Sequence, residues 1–461
     1  MYFAQHYLDC LSHASYLVGD TTTGQAVVID PRRDISEYLA DAEEHGLRIV
    51  GVINTHFHAD FLAGHLELAA ATGAWIGYGQ VAEKLAEYEI RPLRDGERIE
   101  LGDVVLQIME TPGHTPESIS VLVFEHADDE VPYGVLTGDA LFIGDVGRPD
   151  LLASIGVTAD ELGKQLYDSI QHKLMGLHDD VRVFPAHGAG SACGKNLSTE
   201  RQSTIGQQRL FNYACQPMSE QDFVAIVTEG QPSAPAYFLF DAIQNRKAHE
   251  VYAEDQTAPV LDRTAYEAAV ADGAIVVDAR DPQDFAAGYM IGAINVPEDG
   301  RFAETVGMVV KPDDKVVIIA PAGREAEVAV RLARIGFDQV VGVVPEIEAW
   351  LAETPERSTS ASRLTAVQLA ELLESHDAPV VLDVRNPGEL VNGTIPGSLH
   401  IPLAQLAARI DEVPTTTLVI HCAGGWRSSV AASYLRAQGR TDISDLLGGF
   451  SAWAAMKEPV A

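Results

Sequence analysis

The sequence predicts an α/β protein of about three domains, and two patterns carry this prediction. In the first half, short apolar runs typical of strands alternate with turn signals and helix-period stretches. The second half contains a strand–helix pattern twice, and each copy has the roughly 100 residues that a small domain requires. A chain of 461 residues accommodates all of these units at ordinary domain sizes.

The composition indicates a globular protein with an acidic surface. Hydrophobic residues make up 46% of the chain, and 67 acidic against 32 basic residues give a net charge of −35. Because this charge is spread along the chain, we expect it to repel nucleic acid and anionic membranes. No apolar run approaches the roughly 18 residues of a membrane helix, the start lacks a signal peptide's basic residues, and four cysteines form no disulfide framework. We therefore expect a cytoplasmic protein.

The first predicted domain covers residues 1–253. It ends in a polar stretch, residues 245–255, that leads to a different pattern. Strand-like runs are at 26–31, 49–54 and 134–139, and helix-period stretches are at 62–71 and 82–88.

The rest of the chain is an internal repeat. The segment Val277-Asp278-Ala279-Arg280 corresponds to Leu382-Asp383-Val384-Arg385, and two glycines and a proline follow each segment at the same spacing. We predict two small, doubly wound α/β domains at residues 260–355 and 363–461. A linker rich in serine, threonine and proline joins them.

In the second copy, Cys422 lies between an apolar strand-like run and a helical pattern. At such a junction backbone N–H groups converge and the helix dipole favours an anion, so both effects favour a thiolate. Gly424 and Gly425 let the backbone curl around the sulfur, and Arg427 offers a fork of donors to a bound anion. We predict Cys422 as a nucleophile and Arg427 as its anion-binding partner.

From Asp383 through this loop, and in the Gly-Gly-Phe-Ser-Ala-Trp segment that follows, the second copy resembles the rhodanese family of sulfurtransferases. Its loop counts six residues from Cys422 to Arg427, as in sulfurtransferases, whereas related phosphatases have a longer loop. The first copy has Pro321 near the cysteine position and two fewer residues before Arg324. Because it has no nucleophile and proline removes an N–H from the cradle, we predict an inactive rhodanese-like domain with a structural or docking role.

In the first domain, residues of metal-ligand types recur just after strand-like runs, where the loops of layered α/β folds carry chemistry. Imidazole and carboxylate side chains that converge from such loops can bind one cation. The candidates, in chain order, are His56, His58, Asp60, His114, Asp139 and His187.

This run resembles the ligand signature of the metallo-β-lactamase fold, an αββα sandwich. The final histidine of the H-x-H-x-D-H motif, a second-site ligand, is Phe61 here, which favours a single metal ion with open positions. The segments around Asp139 and His187 narrow the resemblance to persulfide dioxygenases fused to tandem rhodanese domains. The ligands that this resemblance implies for one Fe(II) per chain are His56, His114 and Asp139, with His58, Asp60 and His187 beside them or in a second metal site.

Three further residues close to these segments have candidate roles. Cys193 is predicted at the mouth of the metal pocket, either as an auxiliary persulfide-carrying thiol or as a passive loop cysteine. Arg148 and Lys195 are the nearest basic candidates for binding an anionic group of the substrate.

The sequence therefore predicts an enzyme with two linked activities, persulfide dioxygenase and thiosulfate sulfurtransferase. A low-molecular-weight persulfide and O₂ would give sulfite, and Cys422 would transfer sulfane sulfur to form or consume thiosulfate. The enzymatic alternative is a thioester hydrolase of the glyoxalase II type, which would hold zinc instead of iron. A non-catalytic alternative is a sulfur carrier or scaffold. We also expect a homo-oligomer without nucleic-acid or membrane partners.

Overall fold

The computed structural model describes residues 1–151, 156–254 and 256–457. The chain divides into two compact units, Met1–Ala234 with Phe238–Glu254, and Pro235–Tyr237 with Asp255–Ala461. The end of the predicted polar stretch, Asp255, and the end of the third predicted domain, residues 458–461, lie outside the described residues. The exact domain boundaries inferred from the sequence stay predictions.

The first unit is built from two sheets and flanking helices. Its strands are β1 (Tyr2–Leu8), β2 (His13–Asp20), β3 (Gln25–Ile29), β4 (Arg48–Ile53), β5 (Trp75–Gly79), β6 (Arg91–Leu93), β7 (Arg98–Glu100), β8 (Val105–Glu110), β9 (Ile119–Phe124), β10 (Gly134–Gly138), β11 (Arg182–Pro185) and β12 (Ser203–Thr204). Its helices are α1 (Ser36–Glu44), α2 (His65–Thr72), α3 (Ala159–Asp168), α4 (Ile205–Phe211) and α5 (Glu220–Thr228), followed by α6 (Tyr237–Gln244).

The two sheets of the first unit each have six strands, in the orders β1-β2-β3-β4-β5-β6 and β12-β11-β10-β9-β8-β7. Alternate residues of β3 point to opposite faces, as the period of a strand requires. Val27 and Ile29 pack against residues of the second sheet, whereas Ala26 and Val28 pack against α1 and α2. Helices α3 and α5 cover the outer face of the second sheet in the same way. The result is the αββα sandwich predicted above.

The two helix-period stretches of this unit fold differently from each other. The stretch at 62–71 forms α2, which begins only at His65. The stretch at 82–88 forms only the end of a short 3₁₀ helix, Gln80–Lys84, so the helix predicted there is wrong. The backbone N–H of Glu87 donates to the carbonyl of Arg246 at 2.7 Å, and this long-range bond replaces the helical one.

The second unit contains both repeats. Its strands are β13 (Ile275–Asp278), β14 (Tyr289–Met290), β15 (Ile294–Asn295), β16 (Val316–Ile319), β17 (Val340–Val344), β18 (Ser358–Thr359), β19 (Ser362–Leu364), β20 (Val380–Asp383), β21 (Leu399–His400), β22 (Leu418–His421) and β23 (Ile443–Leu446). Its helices are α7 (Arg263–Ala271), α8 (Pro282–Ala287), α9 (Phe302–Val309), α10 (Glu325–Arg334), α11 (Ile347–Glu353), α12 (Ala366–Leu373), α13 (Leu403–Leu406), α14 (Trp426–Ala437) and α15 (Gly449–Lys457).

Each repeat has a parallel sheet, with the orders β15-β13-β16-β17 and β19-β23-β22-β20-β21. The repeated Asp-x-Arg segments make the same contacts in both copies. Arg280 donates to Asp278 at 2.6 Å and to the carbonyl of Gly288 at 2.9 Å. Arg385 donates to Asp383 at 2.7 Å and to the carbonyl of the corresponding glycine at 2.8 Å. The sequence repeat is therefore a repeat of structure.

The strand order of the second repeat marks a ligand position. Strand β20 lies between β21, which follows it in the chain, and β22, which follows β21. Ligands of open parallel sheets bind at the carboxyl ends of strands where the order reverses in this way. Cys422 follows β22 directly and therefore lies at this point.

Across the described parts of the chain, no helix is both long and apolar enough to cross a bilayer.

Candidate functional site

The predicted metal ligands meet where strands of the two sheets of the first unit end. His56 follows β4, His114 follows β8, and Asp139 and His187 follow the neighbouring parallel strands β10 and β11. The turn before Asp139 needs Gly138, because its φ is +52° and a Cβ there would lie 2.5 Å from Oγ1 of Thr55. The sequence thus brings all four side chains to one buried point.

Protein acceptors fix the ring orientation of three of these histidines. The hydroxyl of Thr55 donates to Asp30 at 2.9 Å, so its oxygen accepts from Nδ1 of His56 at 3.0 Å. Nδ1 of His114 donates to the carbonyl of Arg148 at 2.9 Å, and Nδ1 of His187 donates to the carbonyl of Ser12 at 3.1 Å. Each ring therefore carries its proton on Nδ1 and has an unprotonated Nε2, whose lone pair can bind a metal.

These Nε2 atoms surround the carboxylate of Asp139. They lie 3.9 Å (His56), 3.5 Å (His114) and 3.5 Å (His187) from its oxygens. Neither oxygen of Asp139, nor Nε2 of His56 or His187, has a hydrogen-bond partner among the described residues. Burial, followed by the nearby imidazoles, lowers the pKa of His56 well below its usual value, so the ring is neutral. Buried, unsatisfied nitrogen and carboxylate donors at this spacing fit a metal ion.

Potential ligand atoms form three overlapping groups here, each within 4.8 Å: His56 with His114 and Asp139, His58 with Asp60 and His187, and Asp139 with His187 and Cys193. In the second group, Nε2 of His58 is already bonded to Asp30 at 3.0 Å. Burial opposes protonation of His58, but the charge of Asp30 raises its pKa overall. Nδ1 of His58 is buried and has no hydrogen-bond partner among the described residues, so it is the nitrogen of His58 that could bind a metal.

Phe61 occupies the place beside this second group. Its ring lies 4.3 Å from the ring of His58 and 4.2 Å from that of His13, measured between centroids, and it is fully buried. His13 is fully buried too. An aromatic ring that cannot bind a cation therefore covers one side of the second group.

Asn245 forms hydrogen bonds to the backbone of the loop that carries His56, His58 and Asp60. In the sequence it stands at the start of a polar stretch that leads out of the domain. Its amide nitrogen donates to the carbonyls of His58 and Phe61, both at 2.8 Å. Its amide oxygen accepts from the backbone N–H of Ala63 at 2.9 Å. Asn245 is fully buried, and it satisfies three backbone groups of the loop that carries the ligands.

We expect Asn245→Ala to lower the affinity for Fe(II) by about 10- to 100-fold, as is typical when a group that orients metal ligands is lost. The substitution leaves three buried backbone groups without partners and loosens the loop. Anaerobic titration of Fe(II) against a competing chelator measures the effect. Gln244→Ala, which removes the amide next in sequence, is the matched control; an unchanged affinity in Asn245→Ala would refute this role.

Cys193 lies inside the protein, next to the metal ligands. It is fully buried, and it forms one of the possible ligand groups with Asp139 and His187. Burial raises its pKa well above the usual value, and the carboxylates of Asp60 and Asp139 raise it further. These surroundings favour the thiol over the thiolate.

The two basic candidates have protein partners for their charged groups. Arg148 forms an ion pair with Asp150 at 2.7 Å and donates to the carbonyls of Ala192 and Pro232. Nζ of Lys195 donates to two backbone carbonyls at 2.5 and 2.8 Å. These contacts hold loops in place, and a substrate-binding role for either residue stays a prediction.

In the second unit, the loop after β22 curls around Cys422 as predicted. The backbone N–H of Gly425 donates to the sulfur at 3.1 Å, and α14 begins at the next residue. Gly425 has a φ of +98° and Gly449 of +56°, a region that favours glycine. A Cβ on Gly449 would lie 2.4 Å from the carbonyl of Cys422, so this glycine lets α15 close on the loop.

Arg427 is held beside the sulfur by a residue that sequence reasoning missed. Its two terminal nitrogens donate to the two carboxylate oxygens of Glu389, both at 2.7 Å. Burial lowers the pKa of Arg427, but the bonds to Glu389 and the nearby Cys422 raise it overall. A Glu-Leu pair after the Asp-x-Arg segment was the only sequence signal for Glu389.

The first repeat has the same loop position without a thiol. Pro321 follows β16 closely, Gly323 has a φ of +80°, and Arg324 precedes α10. Arg324 forms an exposed ion pair with Glu298 at 2.9 Å. The four cysteines of the chain all lie elsewhere.

Family comparisons agree with this architecture. The sequence model of the metallo-beta-lactamase superfamily matches residues 8–187, and that of the rhodanese-like domain matches residues 262–353 and 365–456.

Similar proteins include members with two different named activities. The human mitochondrial persulfide dioxygenase ETHE1 is 31% identical over 215 residues, which cover 46% of this chain and 75% of that protein. A hydroxyacylglutathione hydrolase from Rhodospirillum rubrum is 33% identical over 37% of this chain and 60% of its own length. A solved metallo-beta-lactamase structure from Staphylococcus aureus is 32% identical, with a TM-score of 0.67, over 75% of this chain and 99% of that one.

Proposed function

The chain belongs to the family of persulfide dioxygenases within the metallo-β-lactamase superfamily, with two tandem rhodanese-like domains, and we propose on this basis that it oxidises persulfides and transfers their sulfur. In the first unit, the outer sulfur of a low-molecular-weight persulfide would be oxidised: R–S–SH + O₂ + H₂O → R–SH + SO₃²⁻ + 2H⁺. In the second, Cys422 would exchange sulfane sulfur with sulfite: Cys–S–S⁻ + SO₃²⁻ ⇌ Cys–S⁻ + S₂O₃²⁻.

The group formed by His56, His114 and Asp139 is the observation that supports the first reaction most directly. Two imidazoles and one carboxylate are the ligand set of ferrous oxygenases, and we propose that they hold one Fe(II) per chain. Such an ion supplies redox chemistry and open coordination positions for O₂ and sulfur.

The surrounding residues would orient the ligands and exclude water. Thr55 and two backbone carbonyls hold the imidazoles in the metal-binding tautomer. Phe61 and Phe142 are buried apolar neighbours of the ligand cluster, and they keep its surroundings dry. We therefore propose that His58, Asp60 and His187 shape the pocket and bind no second ion. A cytoplasmic location and a homo-oligomer stay predictions.

Metal quantification of anaerobically purified protein, combined with O₂ uptake, tests this proposal. We expect close to one iron per chain and O₂ uptake that depends on added glutathione persulfide. Exchange of the iron for zinc should abolish that uptake, because zinc has no redox chemistry. Two tightly bound zinc ions per chain, without persulfide-dependent uptake, would contradict the proposal.

A thioester hydrolase is the second candidate, and the group formed by His58, Asp60 and His187 favours it. Together with the first group, it could hold two zinc ions that activate a water molecule. The similarity to hydroxyacylglutathione hydrolases points the same way. Hydrolysis of S-lactoylglutathione by the zinc form would support this candidate over the dioxygenase.

A further inference from the structure

Cys422 is one of the residues that line a cavity built by both repeats. Its volume is about 460 Å³, and its lining includes Cys422, Gly424, Trp426 and Arg427 from the active loop and its helix. The first repeat supplies a whole wall, formed by Asp299, Gly300, Arg301, Glu304, Thr305 and Met308. The repeat without a nucleophile therefore contributes to the site of the repeat that has one.

The pattern of α9 explains how the first repeat presents this wall. Arg301, Glu304, Thr305 and Met308 follow the spacing of one helix face. The opposite face, which includes Phe302 and Val306, is buried in the repeat. The helix is thus anchored by its apolar face, and it turns a mixed polar and apolar face to the cavity.

The size of the cavity exceeds what an inorganic sulfur substrate needs. Volumes of roughly 300–1,000 Å³ are typical of pockets for small organic ligands. Thiosulfate, which is tetrahedral, and sulfite, which is pyramidal, are both small anions that would occupy only the part of the cavity at the active loop. Met308, Val384 and Leu403 line the remaining space with apolar surface that such an anion would leave unused.

The guanidinium groups of the lining have carboxylate partners. Arg427 forms a two-pronged ion pair with Glu389, and Arg301 forms an ion pair with Glu304. The apolar part of the lining is therefore the feature that distinguishes an organic ligand from an inorganic anion.

We propose that α9 of the first repeat is a specificity wall that selects an organic persulfide over an inorganic sulfur anion as the direct sulfur donor to Cys422. The step is Cys422–S⁻ + R–S–SH → Cys422–S–SH + R–S⁻. The outer sulfur moves, one S–S bond breaks as another forms, and no external oxidant is required. This inference rests on the proposed sulfur transfer and names its donor, and it gives the first repeat a role beyond that of a spacer.

The test follows the loading of Cys422 by intact-protein mass spectrometry in quenched reactions of the full chain. Anaerobic conditions separate this step from persulfide oxidation. Glutathione persulfide and thiosulfate serve as the two donors, and the measured quantity is the ratio of their second-order loading rates. We expect the wild type to prefer glutathione persulfide, and Met308→Trp to reduce this ratio about 10-fold or more, the size of effect that pocket shape produces.

A control variant makes the result specific. Ile291→Trp adds the same bulk at an exposed position of the first repeat and should leave the ratio unchanged.

A wild type that prefers thiosulfate, or a ratio that Met308→Trp does not alter, would overturn the inference. A protein that takes up O₂ with persulfide but loads Cys422 only from thiosulfate would overturn this inference alone. A protein that loads Cys422 from glutathione persulfide but takes up no O₂ would overturn only the proposed dioxygenase.

Discussion

Asp139→Ala should lose its metal and all persulfide-dependent O₂ uptake while the sulfur-transfer activity of Cys422 persists. Asp139 supplies the only carboxylate of the group formed with His56 and His114. Its oxygens also lie within 3.5–3.9 Å of three imidazole nitrogens, so its removal takes away the negative charge that balances a cation there. Loss of a residue that only orients metal ligands typically lowers metal affinity about 10- to 100-fold. We therefore expect loss of the ligand Asp139 itself to lower metal affinity by more than about 100-fold.

Anaerobic iron analysis and an oxygen electrode measure this effect, and thiosulfate-dependent sulfur transfer by the same sample shows that the chain is folded. Asp128→Ala, which removes an exposed carboxylate of the same unit, is the matched control. Iron at the wild-type level in Asp139→Ala would show that the metal is held elsewhere.

Cys422→Ser should abolish sulfur transfer between thiosulfate and an acceptor, by more than about 10³-fold, as is typical when a nucleophile is lost. The sulfur of Cys422 accepts an N–H from Gly425 and lies beside Arg427. Serine keeps the size of the side chain but cannot carry sulfane sulfur. The iron content and persulfide-dependent O₂ uptake of this variant should stay near the wild-type values.

Undiminished transfer in Cys422→Ser would assign the reaction to another thiol. Cys193 would then be the next residue to replace, because it is the cysteine closest to the metal ligands. Its raised pKa and its burial argue that the transfer does not occur there.

The sequence was most informative where short-range patterns have only one structural outcome. The Asp-x-Arg repeat predicted two like domains, and both Arg280 and Arg385 close the same turn onto a glycine carbonyl. The convergence of the predicted metal ligands was implied by the resemblance to the metallo-β-lactamase fold, because β4 lies in one sheet and β8, β10 and β11 lie in the other. Cys422 was placed correctly because a strand–loop–helix junction with two glycines is a local feature.

Contacts between residues far apart in the sequence could not be predicted in this way. Asn245 carries no signal for its bonds to the loop at His58, because its partners lie almost two hundred positions earlier. The helix predicted at 82–88 was wrong for the same reason, since the backbone N–H of Glu87 bonds to the distant carbonyl of Arg246. Nor did the periodicity of α9 reveal that one of its faces lines the Cys422 cavity.

The proposed coupling of the two chemistries can be tested by analysis of the sulfur products. A tether raises the local concentration of one site near another to about millimolar for short flexible links, so sulfite formed by the first unit can meet the persulfide on Cys422. Given glutathione persulfide and O₂, the wild type should accumulate thiosulfate, and Cys422→Ser should release sulfite instead, as measured by thiol-labelling chromatography. The same sulfite-to-thiosulfate ratio from both proteins would contradict the account.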